Sequence, residues 1–519
     1  MIAPSPVSKW PVAVLAVCLL YALAAASIGW HHTVLDFLGF RQAQTALTVY
    51  FMVGQPPRLA YETPVVGPPW SIPFELPVYQ WIVAAVVTFC DTPCVETGRA
   101  VGLLFFLLTL LPAYRLLAWL GFAPGHRLLA LALFAVSPFY IFWSRTFLIE
   151  STALFFSLSY LAAALPFVRQ PRAALALVTV LFGVVASTVK ITTWFVFASM
   201  ILLYLCHVGW SRLRGRGHWM ECGRSALLAL FVLGIPFLAG WRWTCFADEQ
   251  KALNPIGRDL ATHADVMRRW NYGTLEQRFT LKTWGAILAP AHYALGHGVV
   301  LALAVLAVCV ARRHRRIVLS CLLVYPLAPL VFTNLYAFHE YYAYANNVLL
   351  LAVAALGVLA LLERGGRYRL AGSLGLAGFL ALAVWRHHEY YYPIQAKNCD
   401  ELNAVGQAIQ RATEPDDVLV ILGCDWSSEL PFSSRRRALS IPFWRNPRLE
   451  NMPDYLAIAP PYRVGAVVIH TAWQPFERSA VESSIRDAGF EVRYYRVGDE
   501  YEVYAVRKGM RSARGPRIE

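Results

Sequence analysis

Apolar runs of about 18 or more residues recur along most of this chain, separated by short stretches that carry arginines. Each run is long enough to cross a hydrocarbon core of about 30 Å as a helix, the form that satisfies its own backbone in lipid. They fall at 11–30, 98–120, 126–143, 147–168, 173–190, 191–209, 225–243, 290–311, 316–335, 343–362 and 368–386, which predicts about eleven transmembrane helices. The first run lacks a small-residue cleavage site and reads as a membrane span rather than a cleaved signal. Two shorter segments, Phe40–Val53 and Pro77–Cys90, have the length of helices that lie on a membrane face. Beyond about residue 395 the pattern changes. A helix over 400–412, a strand at 418–422, a strand at 464–470, a helix near 477–488 and a hairpin over 491–497 and 502–506 predict a small α/β domain.

Composition supports this division. The 519 residues are 57% hydrophobic and 15% charged, with mean hydropathy +0.47, whereas a soluble domain carries roughly a quarter charged residues. A net charge of +14 could signal nucleic acid, but the arginines sit in clusters between apolar runs, where orientation signals belong. With Lys9 on the cytoplasmic side, Arg127, Arg169/Arg172, Arg212/Arg214/Arg216/Arg224, Arg312/Arg313/Arg315/Arg316 and Arg364/Arg367/Arg369 all fall on that side as well. Residues 31–97, 244–289 and 387–519 then face outward. The expected organisation is a transmembrane domain over 1–390, including the outer loop 31–97, and an outer α/β domain over 391–519. The ten cysteines show no metal-type spacing. Cys90 and Cys94 lie outside the spans and are either a small disulfide or two thiols.

Polar and aromatic residues gather at the outer helix ends. The first outer loop holds Asp36, Arg41, Gln42, Gln44, Glu62, Glu75, Tyr79 and Gln80 among rigid prolines, a collection that is costly at an interface unless it binds something polar. A lone Asp past a helix is usually a cap or a solvated residue. Arg145 is either a snorkelling anchor or a phosphate contact, and the same two readings hold for Lys190. Glu150, one turn into a span, is either paired with Arg145 or functional. His339 is a structural histidine or a phosphate or metal contact, and Tyr341, Tyr342 and Tyr344 fit an interfacial aromatic belt without further function. The 244–289 stretch suits acceptor or sugar contacts, and equally an ordinary solvated loop. The α/β tail reads as a structural or acceptor-presenting cap ahead of a catalytic domain, since it lacks a glycine-rich phosphate loop.

The chain resembles the GT-C glycosyltransferases, specifically bacterial relatives of protein O-mannosyltransferases and of the aminoarabinose transferase that modifies lipid A. The resemblance covers roughly residues 10–390 and rests on Asp36 after the first span, Phe74-Glu75-Leu76-Pro77-Val78-Tyr79, Ser137-Pro138 through Ser144-Arg145, and Asn334 through His339-Glu340-Tyr341-Tyr342. It implies an inverting transfer of a sugar from a polyprenyl phosphate donor to a lipid, glycan or protein acceptor, at the outer face of a bacterial inner membrane. A carboxylate suits the base that activates the acceptor, and Asp36 is the expected one. The leaving phosphate needs cationic or metal stabilisation. Arg41, Arg145, Lys190 and His339 are the expected donor-phosphate contacts. Gln42, Gln44, Tyr79, Tyr341 and Tyr342 are the expected substrate contacts, and Glu75 is a candidate ligand for a divalent metal. Two departures matter: Phe37 stands where many relatives have a second acid, and Leu76 replaces a phosphate-binding lysine, whose contact must come from elsewhere, such as Arg41 or Lys190.

A transporter or lipid flippase is the competing reading. It predicts charges at the bilayer midplane and internal repeats; the span centres are nearly free of charge and no clear repeat stands out. A non-catalytic assembly or sensor protein would explain the tail but not the Asp36–Tyr79 loop.

Overall fold

The computed structural model describes residues 9–34, 38–213, 223, 226–398, 401–497 and 499–508. Asp36, Arg214, Arg216 and Arg224 lie outside the described residues. The chain forms two units: one comprises residues up to His31, Phe74–Asp248 and Ala261–Lys397, the other His32–Pro73, Glu249–Leu260 and the chain from Asn398 onward.

The first unit is helical. Among the described residues, eight helices are long and apolar enough to cross a membrane: Lys9–Ser27, Cys94–Trp119, Glu150–Arg169, Ile191–Ser211, Ala226–Ala252, Arg312–Val331, Glu340–Arg364 and Gly366–Ala396. Counting each of two bent pairs as one span makes ten. The expected number of about eleven also counts residues 173–190, which form the 17-residue helix Ala173–Val189, at the lower end of the roughly 17–25 residues that can span. The runs expected as straight spans over 126–143 and 290–311 are the bent pairs. Pro124–Ala135 and Pro138–Ser144 meet at 65°, Leu281–Leu295 and His297–Val310 at 81°. Each bend has a local cause. Pro138 has no N–H to continue the first helix and starts the next at its first position. Gly296, at φ 85°, takes a left-handed conformation that a side chain would strain. Glu340–Arg364 and Glu150–Arg169 are the inner helices, 83% and 72% buried over their most apolar windows, so the other helices must cover them. Glu150–Arg169 packs on Cys94–Trp119, Ala173–Val189 and Ile191–Leu213, and Asn347–Arg364 on His297–Val310 and Gly366–Arg386. The short segment Val78–Cys90 is a helix, as expected, and Cys90 and Cys94 are both thiols.

The 244–289 stretch is not an open loop. The helix Ala226–Ala252 runs into it, and Asp265–Tyr272 and Leu275–Phe279 are further short helices.

The second unit centres on a five-stranded mixed sheet of β1 (Asp417–Leu422), β2 (Arg437–Ile441), β3 (Arg463–His470), β4 (Phe490–Val497) and β5 (Tyr501–Lys508), in the order β2-β1-β3-β5-β4. β1 runs parallel to β2 and β3, whereas β5 is antiparallel to both β3 and β4. The inner strands β1 and β3 are near-continuous apolar runs, as strands covered on both faces must be. Val405 and Ile409 of the helix Glu401–Ala412 pack on Leu419, Ile421, Ala466, Val468 and Val503 to form the core.

The free edge of β2 is occupied by residues 64–67. Ala438 N donates to Pro64 O at 3.0 Å, Ser440 N to Val65 O at 2.8 Å, and Gly67 N to Ala438 O at 2.9 Å. This satisfies backbone groups that an open edge would leave available to other chains. At Gly67 (φ 80°) a Cβ would stand 2.8 Å from the Leu439 side chain, so glycine is required there. Asn254, fully buried, locks the arrangement. Its Nδ2 donates to Gly67 O at 2.8 Å and Pro69 O at 3.1 Å, while its Oδ1 accepts from the N–H groups of Ile256 and Gly257. The expected face-lying helix of the first loop is Gly39–Met52, whose Phe40 meets Trp426 edge-on at 5.0 Å.

Candidate active site

One end of the helical unit collects ionisable and aromatic side chains. Glu150 is the first residue of Glu150–Arg169, and Lys190 occupies the extended break between Ala173–Val189 and Ile191–Leu213. The backbone stays hydrogen-bonded across that break, Lys190 N donating to Ala186 O at 3.1 Å and Trp194 N to Lys190 O at 3.0 Å, while the lysine side chain turns inward. Its Nζ lies 2.5 Å from Glu150 Oε1, with the two side chains only 10% and 3% exposed. A buried charge is tolerated only when paired and hydrogen-bonded, and this pair meets that condition. The ammonium also faces two rings, 4.1 Å from the centroid of Tyr342 and 5.3 Å from that of Tyr341, in cation–π range.

The rings come from the turn Glu340–Tyr344 that opens an inner helix. His339 stacks on Tyr341 at 5.2 Å and meets Trp270 at 5.7 Å. Trp143 lies 5.7 Å from Tyr341, and its Nε1 donates to Glu340 Oε1 at 3.2 Å. Beneath them the Tyr140 hydroxyl donates to Tyr344 O at 2.7 Å, and the Tyr344 hydroxyl meets Ser151 Oγ at 2.9 Å. Leu76 N donates to Thr188 O at 3.0 Å, which ties the Glu75 segment to the last turn of the helix leading into Lys190. Glu75 itself accepts from Gln80 Nε2 at 3.4 Å.

Of the residues expected to form the site, Lys190, His339, Tyr341 and Tyr342 are brought together, with Glu75 on the segment beside them. Arg145 and Tyr79 are used differently. Arg145 is 1% exposed and its Nη2 donates to Gly29 O at 2.8 Å, which holds the turn that follows the first helix. Tyr79 is fully buried against Phe147 and donates to Gly98 O at 2.7 Å. Burial pushes its phenol well above the usual tyrosine range and keeps it an O–H donor. Arg41, Gln42 and Gln44 belong to the helix Gly39–Met52 of the other unit, where Gln42 and Gln44 are buried and Arg41 Nη1 donates to Gln44 Oε1. Asp36 lies outside the described residues. Among the described residues, no group of three or more His, Cys, Asp or Glu side chains could share a metal ion, so Glu75 has no ligand set around it there.

The Glu150–Lys190 pair, Trp143, Trp270 and Ser151 were not foreseen as a group. Two opposite charges near the ends of neighbouring apolar runs were the signal that could have found the pair.

No family model matches the sequence, and no curated protein matches it. Solved structures do match. The chain is similar to ArnT from Cupriavidus metallidurans bound to undecaprenyl phosphate, with TM-score 0.58 and 12% identity, over 96% of this chain and 98% of that one. It is similar to the Archaeoglobus fulgidus oligosaccharyltransferase in its apo form, with TM-score 0.56 and 12% identity, over 97% and 75%. A mycobacterial arabinofuranosyltransferase, AftD, aligns with TM-score 0.50 and 12% identity, over 97% of this chain and 42% of its own. These neighbours are GT-C glycosyltransferases, and their fold is the fold of this multi-pass membrane protein.

Proposed function

We propose that this chain is a membrane glycosyltransferase that moves a sugar from a polyprenyl phosphate to a cell-envelope acceptor at the outer face of a bacterial inner membrane. The observation that carries the reading is the buried Glu150–Lys190 pair under Tyr341 and Tyr342, at one end of a bundle with the fold of an enzyme solved with undecaprenyl phosphate. A transporter would need ionisable groups at mid-span; these stand at helix ends.

In this reading the Asp36 carboxylate takes the proton of an acceptor hydroxyl or amine as that atom bonds to the anomeric carbon. The bond from that carbon to the phosphate oxygen breaks in the same in-line step, inverting the centre and releasing the polyprenyl phosphate. The leaving phosphate shares the Lys190 ammonium with Glu150 and accepts a hydrogen bond from His339. Tyr341 and Tyr342 line the sugar's path, while the sequence alone offers Arg41 for the donor phosphate and Gln42 and Gln44 for the substrate. Arg145 and Tyr79 position helices. A divalent metal at Glu75 would need ligands beyond the described residues.

The test incubates wild type and Asp36→Asn with a panel of polyprenyl phosphate sugars and envelope acceptors, following transfer by mass spectrometry. Wild type transfers a sugar, and a well-folded Asp36→Asn loses at least about 100-fold in rate. Equal transfer by both proteins would remove Asp36 as the base. Absence of transfer with every donor would overturn the reading.

A further inference from the structure

At the far end of the helical unit lies a second feature of different character. A cavity of about 660 Å³ opens between the helices Cys94–Trp119, Pro124–Ala135, Glu150–Arg169, Ile191–Leu213, Arg315–Val324 and Asn347–Arg364. It is lined mainly by apolar side chains, leucines above all, and its size is that of an ordinary ligand pocket. Its inner wall reaches Phe197 and Val348, near the starts of two helices that border the site described above, but its mouth is remote from that site. Lys190 precedes the helix whose residue His207 lines the cavity, and seventeen helical residues at 1.5 Å each separate them by about 25 Å.

The mouth is polar in one sense only. Arg313 and Arg316 line it, with His207, whose Nε2 lies 3.0 Å from Arg316 Nη1. Trp119 and Tyr204, edge to face at 5.6 Å, flank it in the way aromatic side chains mark the headgroup level. Neighbouring arginines are engaged with helix ends: Arg315 Nε donates to Val308 O at 3.1 Å and Arg364 Nη2 to Val310 O at 2.9 Å. Arg313 and Arg316 instead stand over an apolar hole, and among the described residues no acidic side chain lines it. An apolar void between helices forfeits packing on every wall. In a bilayer the material at hand to fill it is hydrocarbon chain, and the charge at the mouth calls for a phosphate above it.

We infer that this cavity is a binding site for an anionic phospholipid of the leaflet on the arginine side, acyl chain between the helices and phosphate on Arg313 and Arg316. Such a lipid braces six helices at the end opposite the polar cluster. The inference is independent of the proposed transfer activity.

The full chain, purified from mixed bilayers of phosphatidylglycerol and phosphatidylcholine, is analysed by native mass spectrometry for retained lipid. Phosphatidylglycerol is retained over phosphatidylcholine by about tenfold or more, and the Arg313→Gln/Arg316→Gln double variant retains neither preferentially. Ala352→Trp, which fills the cavity and leaves both arginines, loses the retained lipid and keeps the test decisive if the double variant fails to fold. Equal retention of the two lipids by wild type, or unchanged preference in the variants, would overturn the assignment. Displacement of phosphatidylglycerol by equimolar polyprenyl phosphate would also overturn it, assigning the cavity to the donor's chain.

Discussion

The two ends of the helical unit carry charge in opposite ways. At the arginine end, Arg315 and Arg364 are exposed and donate to helix-terminal carbonyls, while an apolar cavity lies beneath Arg313 and Arg316. At the other end, Glu150 and Lys190 are buried together and roofed by Tyr341 and Tyr342. A charge that stays solvated costs little and orients the chain; a charge that is withdrawn from solvent must be compensated locally, and the compensation fixes its geometry. The difference separates charges left in solvent from charges whose position is fixed by their partners.

That comparison can be broken by substitution. Glu150→Ala strands a buried ammonium and should destabilise the unit by about 3–5 kcal/mol, read as a drop in melting temperature in nanodiscs. The Glu150→Gln/Lys190→Met double variant should lose much less, because neither charge is left unpaired. Equal losses would mean that the pair is not what matters. Tyr342→Leu removes the nearer ring from Lys190 and should cost about 0.5–2 kcal/mol, with Tyr342→Phe close to wild type. If Phe is as damaging as Leu, the hydroxyl rather than the ring is the working group. Arg364→Gln at the arginine end should shift the melting temperature by no more than ~2 °C. A loss matching that of Glu150→Ala would erase the distinction between the two ends.

Much of this was legible in the sequence because lipid is a severe solvent. Run length alone located the helices, the break at Lys190, and the short helices Gly39–Met52 and Val78–Cys90. The bends were harder to see. Pro138 lies within an apolar run, where neighbouring helices tolerate proline, and Gly296 is one of 33 glycines, so neither announces a break by composition. In the α/β domain, β2 went unseen: Arg-Ala-Leu-Ser-Ile is short, follows two more arginines, and becomes a strand through pairing with β1 and with residues near Val66. The same limit applies to the candidate site. Lys190 and His339 could be singled out one by one, but no spacing rule brings together the ends of helices that start at 150, 191 and 340.

The edge pairing of the second unit also has a consequence in time. Glu62 and Arg437 form an ion pair at 2.8 Å across 375 residues of chain, and at about 5–20 residues per second the second partner is made roughly 20–75 s after the first. During that interval Pro64, Val65 and Gly67 have no strand to pair with, and β5, which lies between β3 and β4, is the last strand synthesised. Residues 62–67 thus wait for residues 437–440, so a translation product stopped before β2 would carry this segment without the strand it pairs with.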